Sequence, residues 1–133
     1  MTKTEQFHQL QQKGALSDKV LFRPILMYFA ASFIGKTYGE FASDYNVLVE
    51  ANMRCMDEFG LDMLGLISDP YRETSAFGAK IKYVPDGVPR CLNYVVQNAE
   101  DVKNLKNPDV YKEERTFDRI KAGEVLSKKT QGS

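Results

Sequence analysis

The most constraining feature of this chain is an apolar order: a run, a helix-spaced stripe, then a second run. Residues Ile25–Ala30 are a continuous apolar stretch of strand length. A segment apolar on both faces suits a strand covered on both sides, as in parallel sheets. Pro24 belongs at the edge of such a strand. After a Gly-bearing stretch, Gly35–Gly39, comes a helix with Ser43 or Asp44 as its N-cap. Tyr45, Leu48, Asn52, Met56 and Phe59 follow helical spacing, Val49 and Met53 widen the stripe, and Gly60 supplies a stop. The apolar LDMLGLIS, residues 61–68, then reads as a second buried strand. Strand, helix and strand in about forty residues make a right-handed βαβ unit.

The rest decorates that unit. Residues 2–13 form a short polar helix stopped by Gly14, and the cap it belongs to spans 1–19. The βαβ unit occupies 20–79, with a loop and short helix at 69–78. Two extended pieces, 80–84 and 90–96, flank the turn signal PDGVP and form a hairpin excursion within 80–98. Helices fill 99–133: AEDVKNLK, stopped by Asn107-Pro108, and a final helix over 115–129 with Phe117, Ile120 and Leu126 on one side. A strand should follow in an alternating α/β chain, and none does.

Composition narrows the function classes. The chain has 133 residues, and 18 Lys+Arg balance 18 Asp+Glu. A chain of this length buries roughly two thirds of its unfolded surface, enough for a core. Zero net charge argues against nucleic acid as a partner. No window approaches the roughly 20 apolar residues of a membrane span, and the N-terminus lacks a signal-peptide core. The expected setting is cytoplasmic, with Cys55 and Cys91 reduced and structural. Two distant cysteines and the lone His8 do not make a metal pattern, so no metal site is expected in this segment.

The stretch ISDPYRETSAFGA at 67–79 carries the most specific signal. Ser68-Asp69, Glu73 four positions on, and Ala76-Phe77-Gly78 resemble the uroporphyrinogen decarboxylase superfamily. Arg23–Met27, the helix end DEFGLD at 57–62 and the E-D-V-x-x-L segment at Glu100–Leu105 fit in the same order. That superfamily holds uroporphyrinogen decarboxylase and corrinoid-linked methyltransferases such as methylcobamide:coenzyme M methyltransferase. The resemblance implies an α/β fold: the N-terminal part of a (β/α)8 TIM barrel, about two βα units plus the hairpin, incomplete as it stands. It places the active site at the C-terminal ends of the strands.

The resemblance also implies site residues. Asp69 matches the decarboxylase aspartate that stabilises charge on the macrocycle, and is the candidate catalytic group. It also precedes Pro70 and a short helix, so helix capping is an equal reading. Tyr28 and Ser32 stand where the decarboxylase has two arginines that grip carboxylates. A charged, forked guanidinium is not replaced there by Tyr or Ser. Tyr38, in the Gly-bearing loop, and Arg72, at the mouth or on an exposed turn, complete the candidate substrate contacts. These departures favour the methyltransferase-like branch over porphyrin synthesis. A corrinoid, free or protein-bound, or another small molecule would be the substrate. Corrinoid and zinc would belong to a longer protein, with neither bound by this segment. On this reading the chain alone turns over neither substrate class, and it self-associates or pairs with a C-terminal half.

Overall fold

The computed structural model describes residues 2–14 and 20–130. The remainder of the expected N-terminal cap, at 15–19, and the tail beyond Thr130 lie outside the described residues. The elements run α1 Lys3–Lys13, α2 Met27–Phe33, α3 Tyr38–Ser43, α4 Tyr45–Phe59, α5 Arg72–Ala76, β1 Ile81–Val84, β2 Gly87–Cys91, α6 Ala99–Asn104 and α7 Glu114–Lys129. No helix among these is long and apolar enough to cross a membrane.

Helix α4 is the centre of the core. Asp44 caps it, its Oδ1 accepting from the Asn46 amide at 2.8 Å, and Gly60 ends it at φ 64°. Leu48, Val49, Ala51 and Cys55 of α4 are buried with Ala30 and Ala31 of α2, Tyr38 and Phe41 of α3, and Ala122 and Leu126 of α7. Phe59, expected in the apolar stripe, is 43% exposed instead. Replacing Asp44 with Ala should cost about 1 kcal/mol, because an orphan amide of the first turn loses its acceptor. Urea unfolding of the variant checks this; an unchanged midpoint would count against the cap.

The two buried parallel strands are not formed. Residues 27–30 of the first apolar run lie in helix α2, which continues to Phe33. Residues 61–68 take no helical or strand form and join no ladder. A backbone bond, Asp62 N–H to Phe22 O at 3.0 Å, joins the segment before the first run to the second. A strand satisfies its polar backbone only against a neighbour, whereas a helix satisfies its own. Helix α2 also buries Ala30 and Ala31 and stacks Phe29 on Phe33 at 6.0 Å, an i,i+4 pair. Its first residue, Met27, sits at φ 35°, an unusual backbone for a non-glycine residue.

Among the described residues the one sheet is the antiparallel pair β1–β2. Its second strand lies earlier than the sequence suggests and contains Pro89. Ile81 pairs with Cys91, Lys82 with Arg90 and Val84 with Gly87, with a register shift between Lys82 and Val84. A proline without an amide proton is tolerated at such an irregularity. The hairpin rests on α3, where Gly39 N–H donates to Pro85 O at 3.0 Å. A Cβ on Gly39 would lie 2.8 Å from the carbonyl oxygen of Val84. Gly39→Ala should therefore cost about 1–3 kcal/mol through forced displacement of the hairpin. A thermal melt equal to that of the parent would contradict this close approach.

Candidate functional site

Asp69 follows the segment 61–68 and accepts four hydrogen bonds from three residues. Its Oδ1 accepts from the Tyr71 amide at 2.9 Å and from Arg115 Nη1 at 3.0 Å. Its Oδ2 accepts from Ser68 Oγ at 2.7 Å and from Arg115 Nη2 at 2.6 Å. An ionised carboxylate offers about four acceptor positions, so this one is filled. Its side chain is fully buried. Burial pushes its carboxyl upward. The hydrogen bonds from Arg115, Ser68 and Tyr71, with the Arg115 charge, outweigh that and hold it below the ordinary carboxylate range.

Arg72 lies beside this pair and is 1% exposed. It is neither an exposed turn nor an open contact for substrate. Its Nε donates to Ser68 Oγ at 2.8 Å, and its Nη1 to Asp118 Oδ2 at 2.7 Å and to Arg115 O at 2.9 Å. Its Nη2 reaches Ala42 O at 3.3 Å, an oxygen that also accepts from Arg115 Nη2. Arg119 Nη1 bonds Glu73 Oε1 at 2.7 Å, nearer the surface. Arg72, Arg115 and Arg119 thus balance Asp69, Asp118 and Glu73, tying α5, α7 and the end of α3 together.

Tyr38 is not in a loop. It opens α3, with Thr37 as N-cap, and is 2% exposed. Its hydroxyl donates to the Ser68 carbonyl. Burial, with the Asp69 charge adding to it, pushes the phenol up to about 12, so it remains a protonated donor. The Tyr28 ring lies 5.8 Å from the Tyr38 ring and is half exposed. Ser32 is exposed on α2. The fold therefore joins Tyr28, Tyr38, Asp69 and Arg72 into one contiguous chain of contacts and leaves Ser32 apart from it.

Sequence reasoning missed Arg115, Asp118 and Arg119. A signal was present: 115, 118, 119, 122 and 126 recur at helical spacing, so these charges share a stripe with Ala122 and Leu126. The expected trio of Phe117, Ile120 and Leu126 passed over it. The Tyr83 ring closes the cluster, with Arg115 Cζ 5.0 Å from its centroid.

A family model described as uroporphyrinogen decarboxylase (URO-D) matches residues 20–133. The chain belongs to the uroporphyrinogen decarboxylase family. The match spans the candidate site and α7, which supplies its arginines. No curated protein and no solved structure matches the chain. Among the described residues, no group of three or more His, Cys, Asp or Glu is placed to hold a metal ion. Cys55 is buried in α4, where burial pushes its thiol up and away from the reactive thiolate, and Cys91 ends β2. For a family member this leaves, as site chemistry, a saturated buried ion pair and a half-exposed phenol above it.

Proposed function

We propose that this chain serves a family enzyme of the methyl-transfer branch, acting with a corrinoid, and not a porphyrinogen decarboxylase. The observation that carries this reading is the saturation of Asp69. A carboxylate with four donors already on it has no oxygen free for pyrrole N–H groups unless the Arg115 pair breaks. The surroundings support the same choice. Tyr28 and Ser32, exposed on α2, are neutral hydroxyl groups. Such groups exchange hydrogen bonds with carboxamides, which fringe a corrinoid such as cobalamin. Carboxylates, which fringe uroporphyrinogen, call for guanidinium.

A zinc that activates an acceptor thiol does not fit the described residues, and no step is routed through one. On this reading the segment's own part is orientation. Arg115 and Arg72 fix the backbone at Ser68–Asp69, and Tyr38 anchors the Ser68 carbonyl, so Tyr28 is presented on a rigid base.

Absorbance titration tests the reading. Methylcobalamin should give a saturable perturbation of its visible bands and uroporphyrin should give none. A porphyrin response without a corrinoid response would sink it. Introducing Tyr28→Arg with Ser32→Arg, both at exposed positions, should reverse the preference by adding two carboxylate-binding forks.

A further inference from the structure

An open cleft of about 530 Å³ lies beside α5, in the size range of about 300–1,000 Å³ usual for small-molecule sites. The short helix buries Arg72 in the ion-pair cluster and leaves Glu73 and Thr74 exposed on its outer side. Tyr71, Phe77, Tyr94 and Val96 supply most of the apolar lining. The segment that carries Tyr94 and Val96 is fixed at both ends. Asn93 Oδ1 accepts from the Lys80 amide at 2.7 Å, and Asn93 O accepts from Cys91 Sγ at 3.0 Å. At the other end Asn98 caps α6, its Oδ1 accepting from the Glu100 amide at 2.9 Å and the Asp101 amide at 3.1 Å. Phe77, Tyr94 and Val96 are nevertheless exposed, Tyr94 at 83%. Large apolar side chains held open together, with polar groups at their rim, mark a binding site.

Charge selects the ligand. Phe77, Val95 and Leu105 also line an adjoining cleft of about 550 Å³, where Asp101, Asp109 and Glu113 stand against one lysine, Lys106. Two of these carboxylates are engaged. Asp101 Oδ2 accepts from the amides of Gln97 and Asn98, and Asp109 from the Tyr111 amide and Lys112. Among the described residues, Glu113 makes hydrogen bonds only through its backbone, and its half-buried carboxylate is left without a partner. Aromatic faces attract an ammonium group, and carboxylates favour a cation over an anion of the same shape.

We propose that the joined clefts bind a small organic amine, protonated at neutral pH, with an aromatic or aliphatic body. The body lies against Tyr71, Phe77 and Tyr94, and the ammonium faces the carboxylates around Glu113. Neither Tyr28 nor Ser32 lines these clefts, so the site stands or falls independently of the corrinoid reading.

Three probes of nearly equal shape test both halves of the site: phenylbutylamine, phenylbutanol and phenylbutyrate. Each is titrated into the full chain while amide NMR shifts are followed. The amine should give saturable shifts at Phe77, Tyr94, Val96 and Leu105, the alcohol weaker binding at the same amides, and the carboxylate none. Added salt should weaken the amine and leave the alcohol unchanged. Glu113→Gln should weaken the amine about threefold, the scale of one exposed ion pair, without affecting the alcohol. Tyr94→Ala, at a position too exposed to threaten the fold, should weaken both. An alcohol or carboxylate that binds as tightly as the amine overturns the proposal. So does an amine that shifts none of these amides up to its solubility limit, or whose binding ignores both substitutions.

Discussion

Replacing Arg115 with alanine should lower the unfolding free energy by about 3–5 kcal/mol, a large part of the stability of a domain this size. The variant deletes two of the four hydrogen bonds to Asp69 and leaves a fully buried carboxylate without its counter-charge. The cost lies mainly in that stranded charge. Equilibrium urea unfolding near neutral pH measures it. A loss under about 1 kcal/mol, the level of an exposed ion pair, would place the pair at the surface in energetic terms.

The acid response sharpens the same result. In the parent, burial raises the Asp69 carboxyl, but Arg115, Ser68 and the Tyr71 amide bring it net below its ordinary value. A group depressed in the folded state stabilises the fold above its unfolded value, about 3.9 for aspartate. That contribution is lost as pH falls through the lower folded value. Parent stability should therefore decline in acid, below about pH 4. In Arg115→Ala only burial and two weaker donors remain, so the folded carboxyl rises. The acid decline should then be shallower in the variant than in the parent. Unfolding curves at several acidic pH values separate these slopes; parallel slopes would overturn the assignment.

Arg72→Met should cost a similar amount, about 3–5 kcal/mol, although methionine fills much of the volume. Four acceptors lose a donor together: Ser68 Oγ, Arg115 O, Asp118 Oδ2 and Ala42 O. Arg72→Lys should recover little, because one ammonium at the end of a flexible stem does not reach four acceptors spread around a planar fork. Arg72 and Arg115 share Ala42 O and the Ser68–Asp69 pair, so the double variant should lose less than the sum of the singles. Additive losses would show that the two arginines act independently. Full recovery by lysine would show that charge alone matters at position 72.

Much of the helical architecture is legible in the sequence because its determinants are local. Asp44 and Gly60 bracket α4, Asn98 caps α6, and Gly14 stops α1. The turn of the hairpin is legible for the same reason, although Pro89 hides the strand that contains it. The apolar run at 25–30 is different. A continuous run has no period, and periodicity is what tells a buried strand from a buried helix. Its outcome depends on which neighbours are present to pair with its backbone. Family membership is legible from the ordered motifs around Asp69, whereas the state of that carboxylate is not. Its partner lies 46 positions away, and nothing local to Ser68-Asp69-Pro70 announces a guanidinium.

That separation has a kinetic consequence. Asp69 and Arg72 meet Arg115 and Asp118 only when α7 docks, after closure of a loop of more than forty residues. Until then all four groups remain hydrated and incur no desolvation cost. The network is expected to form late in folding, so its loss should appear mainly as faster unfolding, with the refolding limb of the chevron little changed; a slowed refolding limb would place it in the nucleus instead. The buried arginines then act as a latch on the finished structure, setting how long α7 stays in place more than how quickly it arrives.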